Sequence, residues 1–190
     1  QGLATVVKTL SENYNIVIVH GAGSFGHLNA RKYMLQEGEV DDFGIIDGLT
    51  QKDAVSLVRE DMLELSNTLV KILNANDVSC IQYPPHKYAS GVGLDFNIDI
   101  KQVQDMVGTT IPILWGDVVE CEKPKNFGIL SGDDIAARLA LELEGVTALV
   151  FAMSGADGIM TETPDNPNSK LISLWKESIP FGSSHNFKQD

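Results

Sequence analysis

Residues 20–27, HGAGSFGH, place three glycines, a serine and two histidines within eight positions. Glycine lets backbone N–H groups come close to an anion, and a helix that starts at such a turn adds the positive end of its dipole. This stretch can therefore hold a phosphate. A second group, Ser131-Gly132-Asp133-Asp134, opens an apolar helical pattern. Ser131 or Asp133 can cap that helix, and two acids suit its N-terminus. Two more glycine turns follow apolar runs, Gly116-Asp117 and Ser154-Gly155-Ala156-Asp157-Gly158.

Several readings of residues 21–26 compete. They fit G-x-G-x-x-G, the dinucleotide fingerprint, but that pattern needs a compact βαβ unit with an acid about 20 residues on. Here the next strand signal lies near 78–83, after a long helical stretch, so the context fails. No G-x-x-x-x-G-K-[ST] occurs, which excludes a P-loop. A ligand-free strand-to-helix turn needs fewer glycines than stand here. Each single residue also has a plain reading: His27 as packing, Asp133 and Asp134 as caps, Lys32 as a surface lysine rather than local positive charge for the site.

The elements that must position these residues follow from periodicity. Ile16 to Val19 is an apolar β-branched run, and strands are expected near 15–20, 78–83, 111–115 and 147–152. A helix is expected over 2–13, another from about His27, and others over 98–107 and 135–143. The longest helical signal covers 49–76, where Val55, Val58, Met62, Leu65, Leu69 and Ile72 recur at spacings of 3, 4, 3, 4 and 3. Such a seam packs on a sheet or pairs with a symmetry mate. A hairpin is expected from 118–121 to 127–130, and an edge strand near 171–173. Residues 36–48, with three glycines and five acids, read as a loop that covers a site or simply connects. Buried strands alternating with helices predict an α/β domain with a largely parallel sheet, whose ligands sit beyond the carboxyl ends of the strands.

Composition narrows the partners. The 190 residues are 43% hydrophobic, enough for the core of one domain. A net charge of −12 argues against a nucleic-acid or anionic-membrane surface. No apolar run is long enough to span a membrane. Cys80 and Cys121 form no C-x-x-C and no disulfide framework, which suggests a reducing, cytoplasmic setting.

HGAGSFGH, with Ala30, Lys32 and Tyr33 after it, is followed in order by Trp115-Gly116-Asp117, by GILSGDDIAARLA at 128–140 and by Ser154 to Gly158. This series resembles isopentenyl phosphate kinases, of the amino acid kinase superfamily, over nearly the whole chain. Related members phosphorylate carboxylates, carbamate, UMP or fosfomycin; the closing histidine, here His27, marks the phosphate-accepting branch. The resemblance implies a three-layer αβα sandwich, ATP with Mg²⁺, a small-molecule phosphate as acceptor, and a homodimer. It implies that Ala22, His27 and Gly132 touch the acceptor phosphate, and that Gly23 contacts the transferred phosphoryl group. Asp133 would orient the family's active-site lysines, so His27 and Asp133 are the catalytic candidates. Ser154, Gly155, Asp157 and Gly158 would contact the nucleotide, and no protein side chain is implied as a metal ligand.

Two departures stand out. The family pattern T-D-x-D-G lacks its first acid here, where Gly155 follows Ser154. The family's N-terminal strand with a lysine and a GGS loop, and its C-terminal VTGGM-type segment with a further lysine, are not among residues 1–190. The expectation is a single amino acid kinase-like domain, incomplete at both ends, whose 190 residues alone make a poor kinase. The alternatives are a carboxylate or fosfomycin kinase and a non-catalytic phosphate-binding subunit.

Overall fold

The computed structural model describes residues 2–93, 95–152, 158–163 and 165–174. The chain divides into two compact units, Gln1–Leu149 and Val150–Asp190.

The first unit opens with helix α1 (Gly2–Ser11), strand β1 (Ile18–His20) and helix α2 (Gly23–Lys32). The long α3 (Gln51–Asn74) follows, then β2 (Cys80–Gln82), α4 (Pro85–Tyr88), β3 (Ala89–Ser90), β4 (Asn97–Ile98) and α5 (Ile100–Met106). Strands β5 (Ile111–Trp115), β6 (Asp117–Glu120) and β7 (Phe127–Leu130) lead into α6 (Gly132–Glu142). Strands β1, β5 and β2 form a parallel sheet in the order β1-β5-β2, with His20 level with Trp115. A second sheet has the order β4-β3-β6-β7, in which β6 and β7 make the expected antiparallel hairpin.

Side chains on a strand alternate between faces. Ile113 and Trp115 pack into one core with Val7, Ala30, Val58 and Met62, from α1, α2 and α3. Leu114 between them packs into the other, with Val103 of α5 and Ile135 and Leu139 of α6. Helices thus cover both faces of β5, whose five residues are all buried, and the unit is an αβα sandwich.

The α3 helix forms where the apolar seam predicts it. Thr50 caps it: its hydroxyl accepts from the Asp53 N–H at 3.2 Å, and the Asp53 carboxylate accepts from the Thr50 N–H at 2.9 Å. The seam itself shifts along the helix. Val55, Val58 and Met62 are buried, but Leu73 rather than Ile72 is buried at the far end, with Ile72 40% exposed. A straight helix drifts about 20° per heptad from a strict seven-residue repeat, and over these turns that drift moves the core face one residue along.

Three expectations are corrected. The second helix begins at Gly23, not near His27, so the glycine stretch is itself the helix's first turn. No strand forms over 147–152; Leu149, Val150 and Phe151 are exposed. An apolar strand persists only when its backbone groups are paired, and among the described residues this segment has no neighbouring strand. Residues 84–97 are not plain loop but carry α4, β3 and β4.

In the second unit, Met160 pairs with Leu171 in an antiparallel bridge, flanked by Thr161 N–H to Lys170 O at 2.8 Å and Ile172 N–H to Ile159 O at 2.7 Å. The expected edge strand is reduced to that bridge.

Candidate functional site

The parallel strands β1 and β5 end side by side, and a chain turn follows each. The Gly116 N–H donates to His20 O at 3.2 Å, tying the end of β5 to the end of β1. The start of α6 packs into the same corner. A Cβ on Gly116 would lie 3.0 Å from Gly132 N, and one on Gly132 would lie 3.4 Å from His20 O. Three of the four glycine turns singled out in the sequence, at 20–26, 116–117 and 131–134, therefore meet at the carboxyl ends of the sheet.

Two helix N-termini open there. Gly23 turns the chain from strand to helix at φ +51°, a left-handed conformation that favours glycine. Its N-cap is Ala22, which has no side-chain acceptor, so no side chain caps the first amides of α2. At α6 the Ser131 hydroxyl is the cap, accepting from the Asp133 N–H at 3.0 Å. Asp133 is thus not the cap; its carboxylate is exposed in the first turn. Uncapped amides and the positive dipole ends of α2 and α6 make this corner attractive to anions.

His27 stands in the second turn of α2, exposed. The helix under it is fixed. Gly26 packs on Met62 of α3, where an added Cβ would meet the Met62 sulfur at 3.0 Å. The Asn29 amide donates to the Asp61 carboxylate at 2.8 Å. Lys32 is engaged by Asp47 in an ion pair that raises its pKa.

His20 was not among the candidates. Its ring stacks on Trp115 with centroids 5.5 Å apart. Its Nδ1–H donates to Gly21 O at 3.1 Å, which leaves Nε2 as a buried acceptor without a partner among the described residues. Burial lowers its pKa, so the ring is held neutral. Sequence also gave no role to Gln51, which is buried. Its amide donates to Tyr33 O at 3.0 Å and Gly38 O at 2.9 Å and accepts from the Val40 N–H at 3.0 Å. The start of the 36–48 loop is therefore pinned, and the Glu39 N–H adds a 2.8 Å bond to Lys125 O.

Ala22, Gly23, Gly132 and Asp133 thus lie on the turns and first helical turns of this one corner, and His27 follows in the second turn of α2. Ser154, Gly155 and Asp157 lie outside the described residues; Gly158 belongs to the second unit, at φ +147°. Among the described residues no group of three or more His, Cys, Asp or Glu side chains converges to hold a metal ion.

This sandwich with its glycine-lined corner is that of a phosphotransferase family: the chain belongs to the amino acid kinase family, whose model matches residues 1–177. Within it, the chain is similar to isopentenyl phosphate kinases. It is 28% identical to that of Thermoplasma acidophilum over 188 residues, 97% of this chain and 70% of the relative. It is 25% identical to that of Methanocaldococcus jannaschii over 157 residues, 82% of this chain but only 56% of the relative's length. A crystal structure of the T. acidophilum enzyme in a product complex superimposes with a TM-score of 0.68 at 28% identity, covering 89% of this chain and 67% of that one. Another isopentenyl phosphate kinase structure reaches a TM-score of 0.78 at 23% identity, a likeness of fold.

Proposed function

We propose that this chain forms the acceptor side of an ATP-dependent kinase that converts isopentenyl phosphate to isopentenyl diphosphate, an isoprenoid precursor. The observation that carries the reading is the meeting of the α2 and α6 N-termini at one corner, with His27 one turn into α2. The named activity of the similar proteins supports it.

Both reactants are anions, so the protein's task is to position them and neutralise charge. An oxygen of the acceptor phosphate forms a bond to the γ-phosphorus of ATP. The bond from that phosphorus to the β–γ bridging oxygen breaks, and ADP leaves with the electron pair. In this reading the amides at Ala22 and Gly132 and the His27 N–H hold the acceptor phosphate, and the Gly23 amide meets the transferred group. Asp133, free of capping duty, orients the cationic side chains that contact the phosphates, and Ser154 to Gly158 contact the nucleotide. Magnesium, which nucleotide phosphates carry, would arrive with the ATP and help to neutralise the charge on its phosphates. A homodimer through the outer face of α3, where Leu63 and Ile72 are exposed, and a reducing compartment for the free Cys80 and Cys121 belong to the same proposal.

The test is steady-state kinetics in the full-length protein that contains these residues, with circular dichroism as the folding control. Removing one preorganised donor typically costs ~10²–10³ in kcat. His27→Ala should lose that much with isopentenyl phosphate, and His27→Gln, which keeps a donor, should retain more. Near-normal kcat/KM in His27→Ala sinks the assigned role, and preferential turnover of a carboxylate acceptor sinks the substrate.

A further inference from the structure

The Trp115-Gly116-Asp117 motif has a part that anion binding does not use. Asp117 follows directly on Gly116, and its side chain is fully buried. A buried carboxylate is strongly unfavourable unless it is paired and hydrogen-bonded. Here one oxygen accepts from the Val118 N–H at 2.8 Å. The other accepts twice from His86 on α4, from the backbone N–H at 3.1 Å and from ring Nδ1–H at 2.7 Å. Two more contacts brace the same corner. Arg59 of α3 donates its Nε–H to Val118 O at 2.8 Å, and Tyr88 at the end of α4 stacks on Tyr83 with centroids 4.0 Å apart.

This bracket is coupled to the site through the backbone. Asp117 is level with Leu130 in the β6–β7 ladder, and Leu130 leads through Ser131 to Gly132. On the other side, Asp117 continues from Gly116, whose Cα faces Gly132 N closely enough that a Cβ would stand 3.0 Å from it. A movement of Asp117 therefore shifts Gly116 and the start of α6 together.

We propose that His86 is a positioning residue for the acceptor phosphate: by holding Asp117 it sets the Gly116–Gly132 contact against which that phosphate is bound. The proposal rests on the kinase reading for the identity of the acceptor, but not for the geometry. His86 touches no reactant. Its effect is on placement, and a misplacement of about 1 Å costs on the order of 10²-fold in rate.

The experiment uses the full-length protein with His86→Phe, which keeps a ring but removes the Nδ1 donor, and His86→Asn, which restores an N–H near that position. Three readouts are taken: kcat and KM for isopentenyl phosphate, KM for ATP, and the amide NMR shift of Gly132 on titration with inorganic phosphate. His86→Phe should lose about 10- to 100-fold in kcat/KM for isopentenyl phosphate with little change in KM for ATP. Its phosphate-induced Gly132 shift should shrink, and His86→Asn should recover most of both. Wild-type values in His86→Phe overturn the proposal, as does a loss that affects both substrates equally and follows a fall in melting temperature. If the unsubstituted protein is inactive on isopentenyl phosphate, the kinase reading fails alone, and the Gly132 shift still decides the role of His86.

Discussion

Glycine at 116 and glycine at 132 face each other, yet the structure predicts opposite outcomes for replacing them with alanine. Neither has a positive φ, so the backbone itself tolerates a side chain at both. At Gly116 a Cβ would meet Gly132 N at 3.0 Å and Leu130 O at 3.4 Å. Both neighbours are backbone atoms, Leu130 in the β6–β7 ladder and Gly132 at the start of α6, and cannot swing aside as a side-chain tip could. The two turns must open by about 0.4 Å to restore an ordinary contact, and overpacking of this kind costs about 1–3 kcal/mol. The lower entropy of the unfolded alanine chain returns about 0.4–1 kcal/mol. The net loss for Gly116→Ala is about 1–2 kcal/mol, which lowers Tm by roughly 3–6 °C for a chain of this size. At Gly132 a Cβ meets His20 O, Gly116 N and Val19 Cγ1 at 3.4, 3.5 and 3.6 Å, all ordinary contacts, and it lies at the first position of α6. Gly132→Ala should therefore be neutral or gain about 0.5 kcal/mol. Urea and thermal unfolding followed by circular dichroism measure both. Gly116→Ala as stable as the parent, or Gly132→Ala destabilised as much as Gly116→Ala, refutes the packing argument.

Two further predictions concern residues behind the site. Gln51→Leu strands the Tyr33 and Gly38 carbonyls and the Val40 N–H; the expected cost is about 2–4 kcal/mol in the urea midpoint analysis, and a change under about 0.5 kcal/mol would show that the network carries little. His20 has its pKa lowered by burial, so the unfolded chain binds the proton more readily than the folded one. The stability this contributes is complete above about pH 6.5 and is lost as pH falls through that value toward the lower folded pKa. The drop in urea midpoint between about pH 7.5 and 5.5 should shrink in His20→Gln, and an unchanged drop excludes His20 from the acid response.

Local pattern determined much of this protein. The β-branched run before Gly21, the apolar seam of α3, the hairpin at 117–130 and the capped start of α6 each depend on residues close in the chain, and each appears where periodicity and turn chemistry put it. The resemblance of HGAGSFGH and GILSGDDIAARLA to one kinase family also needed no coordinates. What only the tertiary structure decided are relations between distant residues. Pairing of β1 with β5 brings Gly21, Gly116 and Gly132 to one corner, across more than a hundred positions of chain. No strand forms at 147–152, which has no neighbouring strand among the described residues, and no local propensity can report a partner. The ladder of β6 and β7 links Asp117 to α6, while α4 supplies His86, from a stretch that reads as loop. Periodicity records which face of an element is apolar; it does not record which buried carboxylate a distant histidine will satisfy, because that depends on where the packed layers place the two.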